Sequence, residues 1–223
     1  MNSVVLKSIG ENYKDEEIKA LRANIEFSGI EKKVIMFTSS MPGEGKSQIS
    51  FDVACSLVES GKNVLFIDAD MRKSVLRGRL KANNVSYGLS HVLSGRCEYK
   101  EALYSTQLEK LSMIFAGIVP PNPAELLGQF RFEKIIEVTR KYYDYIIIDC
   151  PPLGSVIDAA IIAKHCDAAI LVIAAGKVSY RFTQGVVNQL KATGVSILGT
   201  VLNMVDSKTN KYYGKYYGKY GNY

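Results

Sequence analysis

The chain has 223 residues, of which 47% are hydrophobic and 22% are charged, and its formal net charge is +6. This length suits one α/β domain of ordinary size, whose core needs no disulfide or metal to hold it together. The composition excludes collagen-like, coiled-coil and wholly disordered chains. The longest apolar run, residues 168–175, is less than half of the ~20 residues that a membrane-spanning helix requires.

The N-terminal residues and the cysteines are typical of a cytoplasmic protein. Residues 1–3 lack the basic, apolar and small-residue order of a secretory signal, so we expect the protein in the cytoplasm. The cysteines lack the spacing of a metal site or of a disulfide framework, and we expect reduced thiols in the core. These cysteines are Cys55, Cys97, Cys150 and Cys166.

The positive charge is concentrated at the C-terminal end. No acidic residue follows Asp206, whereas four lysines do: Lys208, Lys211, Lys215 and Lys219. Without these four charges the net charge falls from +6 to +2. Most of the excess positive charge therefore lies in a basic tail rather than on a basic face of the folded body. This distribution disfavours nucleic acid as a partner of the folded body.

Apolar residues recur with the periods of helices and strands along most of the chain. Residues 1–13 carry no strong pattern. In residues 14–27 the apolar positions Ile18, Leu21 and Ile25 have helical spacing, so this amphipathic helix lies on its own domain or on a neighbouring subunit. The elements predicted after it are strand 34–38, a glycine-rich loop at 39–47, helix 49–58, strand 64–67, a helical and loop stretch at 74–109, strand 111–116, helix 124–141, strand 145–149, helix 158–165, strand 168–174, helix 180–193 and strand 195–203.

Short apolar strands that alternate with amphipathic helices predict an α/β fold, with a mostly parallel sheet covered by helices on both faces. From residue 207 onward the chain has no aliphatic residue to bury, which predicts a disordered tail. We therefore expect one domain over residues 1–206, with its N-terminal helix at about 14–28, and a flexible tail over residues 207–223.

The strongest local motif is the run GEGKS at residues 43–47, between a predicted strand and a predicted helix. Its glycines let backbone N–H groups turn inward around phosphate oxygens, the Lys46 ammonium can reach the β- and γ-phosphates, and the Ser47 hydroxyl can bind Mg²⁺. The usual motif begins with glycine where this chain has Ser40. The strand–loop–helix context nevertheless predicts a P-loop rather than an ordinary glycine-rich turn.

Three carboxylates close predicted strands: Asp68, Asp70 and Asp149. The carboxyl ends of parallel strands meet at one edge of a sheet, where α/β proteins bind ligands. A single aspartate there is as easily a helix cap or a turn residue. Three of them repel one another unless a cation lies between them, and beside phosphates we expect Mg²⁺. Nearby, Arg72 could pair with a phosphate, with a carboxylate of the same domain or with a neighbouring chain.

The tail is rich in tyrosine. Six of the chain's 14 tyrosines lie in its last 12 residues: Tyr212, Tyr213, Tyr216, Tyr217, Tyr220 and Tyr223. Because a disordered segment cannot bury them, packing does not explain their presence. Interleaved tyrosines and lysines could stack on single-stranded nucleic acid, or the flexible phenols could accept phosphoryl groups. The tail residues alone do not decide between these two functions.

Taken together, these features resemble the bacterial tyrosine kinases (BY-kinases) of capsule and exopolysaccharide synthesis, in their stand-alone cytoplasmic Gram-positive form. The resemblance runs from about residue 14 to the end of the chain, where the tail is similar to the family's autophosphorylation cluster, and it implies a P-loop NTPase fold. The segments similar to family motifs are 39–47 (Walker A), 64–70 with Arg72 (Walker A′), 146–149 (Walker B), 121–127 and 199–203.

The resemblance implies a protein-tyrosine kinase that uses ATP and Mg²⁺ and phosphorylates the tail tyrosines. It assigns phosphate binding to Lys46 and activation of the attacking phenol to Asp68, and it makes Ser47, Asp68, Asp70 and Asp149 candidate metal ligands, directly or through water. The residues that it implies for nucleotide binding are Ser40, Pro42, Gly43, Glu44, Gly45, Lys46, Ser47 and Gln48.

The resemblance also implies partners. Family members assemble into rings, such as octamers, through a Glu-x-x-Arg-x-x-Arg helix, which here reads Glu16, Lys19 and Arg22. Lys19 keeps the positive charge but lacks the bidentate fork of arginine. Phosphorylation in trans, activation by a transmembrane adaptor of the polysaccharide co-polymerase type at the inner face of the plasma membrane, a cognate phosphotyrosine phosphatase and further protein substrates are implied as well.

Other functions remain open. A partitioning or cell-division-placement ATPase shares the fold, but it carries a signature lysine early in the P-loop where this chain has Met41, and it gives no reason for a tyrosine tail. A nucleotide-gated scaffold without kinase turnover would bind ATP and form no phosphotyrosine. A nucleic-acid binder is least favoured, because the body of the chain is nearly neutral.

Overall fold

The computed structural model describes residues 2–205. Its strands are β1 (Asn2–Ser3), β2 (Val34–Ser39), β3 (Val64–Asp68), β4 (Tyr104–Ser105), β5 (Leu111–Ile114), β6 (Tyr145–Asp149), β7 (Ala168–Ala174) and β8 (Ser196–Asn203). They form one sheet in the order β1-β4-β5-β3-β6-β2-β7-β8, in which only the β4–β5 pair is antiparallel among the described strands. The mostly parallel sheet expected from the sequence is confirmed.

Eight α-helices connect these strands in the described part of the chain. They are α1 (Glu16–Phe27), α2 (Lys46–Glu59), α3 (Leu76–Arg79), α4 (Leu89–Leu93), α5 (Pro123–Leu127), α6 (Phe130–Thr139), α7 (Asp158–Ala163) and α8 (Tyr180–Ala192). Two short 3-10 helices lie at Asn12–Lys14 and Tyr99–Glu101. Between residues 2 and 205, none of the helices has the length and apolar character needed to cross a membrane.

The sheet separates two apolar cores. On the central strand β2, Val34 and Met36 face one core together with residues of α4 to α8. The alternate residues Ile35 and Phe37 face the other core, with residues of α1, α2 and α3. All four side chains are fully buried, which explains why the strand is a continuous apolar run rather than an alternating one. Helices therefore cover both faces, as expected.

Two regions differ from the expectation. The single helix expected at 124–141 is two helices, α5 and α6, because the chain turns at Gly128 and Gln129 is extended (φ −82°, ψ 152°). The N-terminal segment, which has no strong sequence pattern, adds β1 to the edge of the sheet and buries Val4 and Leu6 in the core that contains α1 to α3.

The carboxyl ends of the three central strands meet at one edge of the sheet. Phe37 of β2 and Asp68 of β3 both pair with Asp149 of β6. The loop that follows β2 leads directly into α2, which begins at Lys46. This edge therefore brings the glycine-rich loop and the strand-end carboxylates together.

Candidate functional site

The loop at residues 40–45, between β2 and α2, is shaped by two glycines. Gly43 and Gly45 have φ angles of +82° and +89°, which side chains with a Cβ rarely adopt. A Cβ at Gly45 would also collide with the side-chain amide of Asn203. Glycine is therefore required at this position for two reasons, and the loop leads into the partly positive N-terminus of α2.

Glu44 ties this loop to two neighbouring strands. Its buried carboxylate accepts hydrogen bonds from the N–H of Met41 (2.7 Å) and from the N–H of Ala174 at the end of β7 (3.0 Å). Its carbonyl oxygen accepts one from the side-chain amide of Asn203 at the end of β8 (2.9 Å). The sequence does not reveal this function, because two of the partners lie 130 and 159 residues away.

Lys46 lies at the floor of the site between two carboxylates. Its Nζ is 3.2 Å from Asp70 Oδ2, 3.2 Å from Asp149 Oδ1 and 3.1 Å from Ser47 Oγ. Burial lowers the pKa of Lys46, but the charges of Asp149 and Asp70 more than offset it, so the net shift is upward. From the sequence we expected a cation between the aspartates. In this structure the ammonium group of Lys46 is the cation that lies between Asp70 and Asp149.

Asp68 and Asp149 are paired across β3 and β6 and are almost completely buried. Burial, with a further contribution from the charge of Asp149, raises the pKa of Asp68 to about 8. Burial also raises the pKa of Asp149, although Lys46 opposes the shift. Asp68 accepts hydrogen bonds from Ser74 Oγ and from the backbone N–H of Asp70 (3.3 Å). The contact with Ser74 is one that sequence reasoning did not anticipate.

A cavity of about 500 Å³ opens in front of these groups. Asp70 lines it, whereas Asp68 and Asp149 lie behind its wall. Ser40 and Glu44, both expected to bind nucleotide, do not line it either. The expected nucleotide-binding residues that do line it are Pro42, Gly43, Gly45, Lys46, Ser47 and Gln48.

Two arginines lie at the mouth of this cavity, one held by a carboxylate and the other by an amide oxygen. Arg72 donates through Nε and Nη2 to the two oxygens of Asp158, at 2.8 and 2.9 Å, so its partner is a carboxylate of the same domain. Arg79 donates through Nη1 to Gln48 Oε1 (2.9 Å). The Nε2 of Gln48 in turn donates to both oxygens of Asp52, at 2.7 and 2.8 Å.

The residues expected at an oligomer interface lie on α1. Glu16 and Lys19 form an ion pair with each other at 2.8 Å, on the exposed side of the helix. Arg22 instead turns toward α2 and donates through Nη1 to the carbonyl (2.9 Å) and hydroxyl (3.2 Å) oxygens of Ser56. Glu16 and Lys19 are therefore accessible to a partner, while Arg22 is engaged in contacts with α2 of its own domain. The six tail tyrosines, from Tyr212 to Tyr223, lie outside the described residues.

The donor groups beside Lys46 fit a magnesium ion. Among the described residues, no three His, Cys, Asp or Glu side chains converge closely enough to hold a metal ion. Mg²⁺ does not need such a cluster, because it usually binds one or two carboxylates together with phosphate oxygens and water. Ser47, Asp70 and Asp149 supply a hydroxyl group and two carboxylates of this kind at the carboxyl edge of the sheet.

Known proteins resemble this chain in sequence and in structure. The family described as "AAA domain" matches residues 32–195. Tyrosine-protein kinase CpsD of Streptococcus pneumoniae serotype 4 is 47% identical over 198 residues, which cover 89% of this chain and 87% of that protein. The kinase domain of the Escherichia coli tyrosine kinase ETK has a TM-score of 0.84 at 30% identity, covering 91% of this chain and 82% of that one.

A second branch of the same fold is also similar. The septum site-determining protein MinD of Pyrococcus horikoshii, solved in complex with Mg-ADP, has a TM-score of 0.66 at 28% identity, covering 76% of this chain and 69% of that one. The likeness to the tyrosine kinases extends over more of the chain and has the higher TM-score. Together with the P-loop and the strand-end aspartates, these similarities show that the chain belongs to the bacterial tyrosine kinases, a family of protein-tyrosine kinases with a P-loop fold.

Proposed function

We propose that this kinase transfers the γ-phosphoryl group of ATP to the tyrosines of its own tail, in trans between copies. The observation that carries the proposal is the position of Lys46, between Asp70 and Asp149 at the floor of a P-loop cavity, in a chain that ends in six tyrosines. The cavity supports nucleotide binding, and the tail supplies phenols that packing does not explain.

The nucleotide is bound by the loop and by the start of α2. Backbone N–H groups of the loop and the N-terminus of α2 attract the phosphates, and Lys46 exchanges its two carboxylates for phosphate oxygens. This exchange frees Asp70 and Asp149, which together with Ser47 are the residues that would hold Mg²⁺, directly or through water. When bound, Mg²⁺ would neutralise the negative charge that develops on the phosphates during transfer.

Phosphoryl transfer forms a bond between the tyrosine oxygen and the γ-phosphorus and breaks the bond to the bridging oxygen, which leaves with ADP. The phenol proton passes to Asp68 in its ionised form, which a pKa raised by burial makes a stronger base than an ordinary aspartate. Asp68 lies behind the cavity wall and accepts a hydrogen bond from the Ser74 hydroxyl. The incoming phenol therefore has to displace that hydroxyl to reach the carboxylate. The rest of the catalysis is positioning and charge stabilisation.

The wider function that we propose follows from the family resemblance. The kinase regulates capsular or exopolysaccharide synthesis and export. A transmembrane adaptor of the polysaccharide co-polymerase type activates it at the inner face of the plasma membrane, and a phosphotyrosine phosphatase reverses the modification on the tail and on other protein substrates. The exposed pair of Glu16 and Lys19 supports contact between copies in a homo-oligomeric ring.

A mixing experiment tests both the acceptor and the trans reaction. The Lys46→Met chain supplies a tail without activity, and a chain with all six tail tyrosines changed to phenylalanine supplies activity without acceptors. With ATP, Mg²⁺ and the adaptor's cytoplasmic segment, intact mass should show phosphate on the Lys46→Met chain in the mixture and on neither chain alone. Phosphate on the body of the chain whose six tail tyrosines are phenylalanine would contradict the acceptor function of the tail.

Two other outcomes would favour the alternatives. Steady release of free phosphate without phosphotyrosine would favour a partitioning-type ATPase, which the likeness to MinD makes the leading rival. Nucleotide binding without either product would favour a nucleotide-gated scaffold.

A further inference from the structure

Gln48 does not present a free side chain to the cavity. Its Nε2 is bound to both oxygens of Asp52, and its Oε1 accepts the hydrogen bond from Arg79. Asp52 is buried, with 3% of its surface exposed, so it anchors the whole chain of contacts. A guanidinium group has five N–H donors, and this contact uses one of them. Arg79 is therefore held in place at the cavity mouth with donors to spare.

Two more positive side chains accompany Arg79. Lys73 lines the same cavity, and Arg77 lies on α3 two residues before Arg79. Within residues 2–205, no carboxylate lies within 4.0 Å of a charged nitrogen of Lys73, Arg77 or Arg79, in contrast to Arg72, which pairs with Asp158. We call Lys73, Arg77 and Arg79 the cationic rim.

The rim repels the tail before phosphorylation and attracts it afterwards. The unmodified tail carries four lysines and no acidic residue after Asp206. Each phosphotyrosine adds about −1.5 to −2 charges, so three of them reverse the sign of a tail that carries four lysines. Arginine suits such a ligand because its planar fork donates two parallel hydrogen bonds to phosphate oxygens. The charge pattern therefore selects a phosphorylated tail over an unmodified one.

We propose that the cationic rim binds phosphotyrosine in the tail of a second copy, with Arg79 as the principal phosphate-binding residue. This inference rests on the proposed function, in which the tail is the acceptor. The tail repeats the unit KYYG at residues 211–214 and 215–218, so tyrosines recur every four residues, about 13 Å apart in extended chain. A tail held at the rim by one phosphotyrosine thus presents its next tyrosine to the adjacent cavity.

Peptide binding tests the ligand chemistry. Peptides of residues 209–219, with and without phosphate on Tyr213, are titrated against dephosphorylated full-length protein in excess MgADP, which fills the nucleotide site. The phosphopeptide should bind about tenfold more tightly, and added salt should weaken it. Arg79→Ala should remove most of the preference and Arg79→Lys part of it, whereas Arg131→Ala, at an exposed arginine on α6, should leave it unchanged.

Three results would overturn the proposal. Equal affinity for the two peptides would exclude phosphate recognition. An unchanged preference in Arg79→Ala would place the phosphate elsewhere. A preference that appears only without MgADP would mean that the peptide phosphate occupies the P-loop. None of these results depends on autophosphorylation, so a failure here is distinguishable from a failure of the proposed function.

The order in which phosphates are added tests whether a phosphotyrosine bound at the rim promotes transfer to the next tyrosine. Starting from dephosphorylated protein, the wild type should accumulate multiply phosphorylated chains while unmodified chains remain. Arg79→Ala should acquire phosphates one at a time, with the later phosphates slowed severalfold more than the first one, each relative to the wild type. If Arg79→Ala slows the first phosphate as much as the later ones, the arginine acts on nucleotide or catalysis and the proposal is wrong.

Discussion

The floor of the cavity and its mouth both carry charge, but they hold it differently. At the floor, Lys46 touches Asp70 and Asp149 directly, and all three side chains are at least nine-tenths buried. At the mouth, Arg72 and Arg79 are exposed, and each is held from behind by a carboxylate or an amide. An unpaired charge is costly at a buried position and is screened by water at an exposed one. Changes at the floor should therefore abolish activity, while changes at the mouth should have smaller effects on rate and on ligand preference.

The largest effect is expected for Lys46→Met. Autophosphorylation should fall at least 100-fold, on the order of the loss when a preorganised electrostatic contact is removed. The change also leaves Asp70 and Asp149 buried without a counterion, so the free energy of unfolding should fall by about 3 kcal/mol unless a proton replaces the lysine. Intact mass and urea unfolding measure the two effects. Lys134→Met, on the exposed side of α6, is the control, and normal activity in Lys46→Met would refute the P-loop assignment.

The next effect is expected for Glu44→Gln, which changes the support of the loop and leaves the floor intact. The new NH₂ group meets a backbone N–H, either of Met41 or of Ala174, so one buried donor loses its acceptor at a cost of about 1–3 kcal/mol. The KM for ATP should rise about tenfold, while kcat changes less because Lys46 and the aspartates remain. Steady-state kinetics separate the two constants. An unchanged KM would mean that this carboxylate does not hold the loop in its binding shape, and Glu137→Gln controls for the loss of a charge.

A smaller effect is expected for Asp158→Asn, which releases Arg72 at the mouth. We expect kcat to fall severalfold, because Arg72 is no longer held firmly at the cavity mouth. The free energy of unfolding should fall by about 1–2 kcal/mol, because a charge-assisted pair becomes a weaker hydrogen bond. Asp167→Asn is the matched control, since it breaks the ion pair with Arg140 (2.7 Å) at the opposite edge of the sheet. That control should lose stability without a change in kcat. Equal kinetics for the two variants would show that the Arg72 contact is purely structural.

The smallest effect concerns pH. Burial raises the pKa of Asp52 from 3.8 to about 6. Since the folded protein then holds a proton that the unfolded chain has lost, stability contributed by this group falls as the pH rises from about 4 to 6 and is constant above. The full shift corresponds to about 3 kcal/mol, but asparagine also weakens the hydrogen bonds from Gln48 to the two carboxylate oxygens. Asp52→Asn should therefore be only about 1 kcal/mol more stable than the wild type at pH 7 and no more stable at pH 4. Urea unfolding of both proteins at pH 4 and pH 7 measures this difference. If the free energy of unfolding changed equally with pH in the wild type and in Asp52→Asn, the raised pKa of Asp52 would be refuted.

The sequence predicted those parts of the site that a short stretch of chain determines. The GEGKS run at residues 43–47 and the aspartates that follow β3 and β6 are local patterns, and the parallel sheet brings them to one edge. The contact between Arg72 and Asp158 spans 86 residues and depends on how α7 packs. The same holds for the support of Glu44 by β7 and β8. No local pattern carries such information.

The fold shows the same limit. Long apolar strands were predicted because both of their faces are buried, whereas β1 and β4 have two residues each and too little sequence to show a period. The break between α5 and α6 was missed because the apolar pattern continues through Gln129 while the backbone does not. Site residues Ser40 and Glu44 belong to the P-loop motif, yet only the structure shows that they do not line the cavity.

The central claim is that Lys46 binds the phosphates of ATP while the γ-phosphoryl group is transferred to a tail tyrosine. Its most direct test is the intact mass of the wild type and of Lys46→Met after incubation with ATP and Mg²⁺, with the adaptor's cytoplasmic segment supplied, followed by mapping of the modified residues. We predict phosphates on the tyrosines between Tyr212 and Tyr223 of the wild type and none on Lys46→Met. Phosphate confined to the body of the chain, or equal phosphate on both proteins, would contradict the claim.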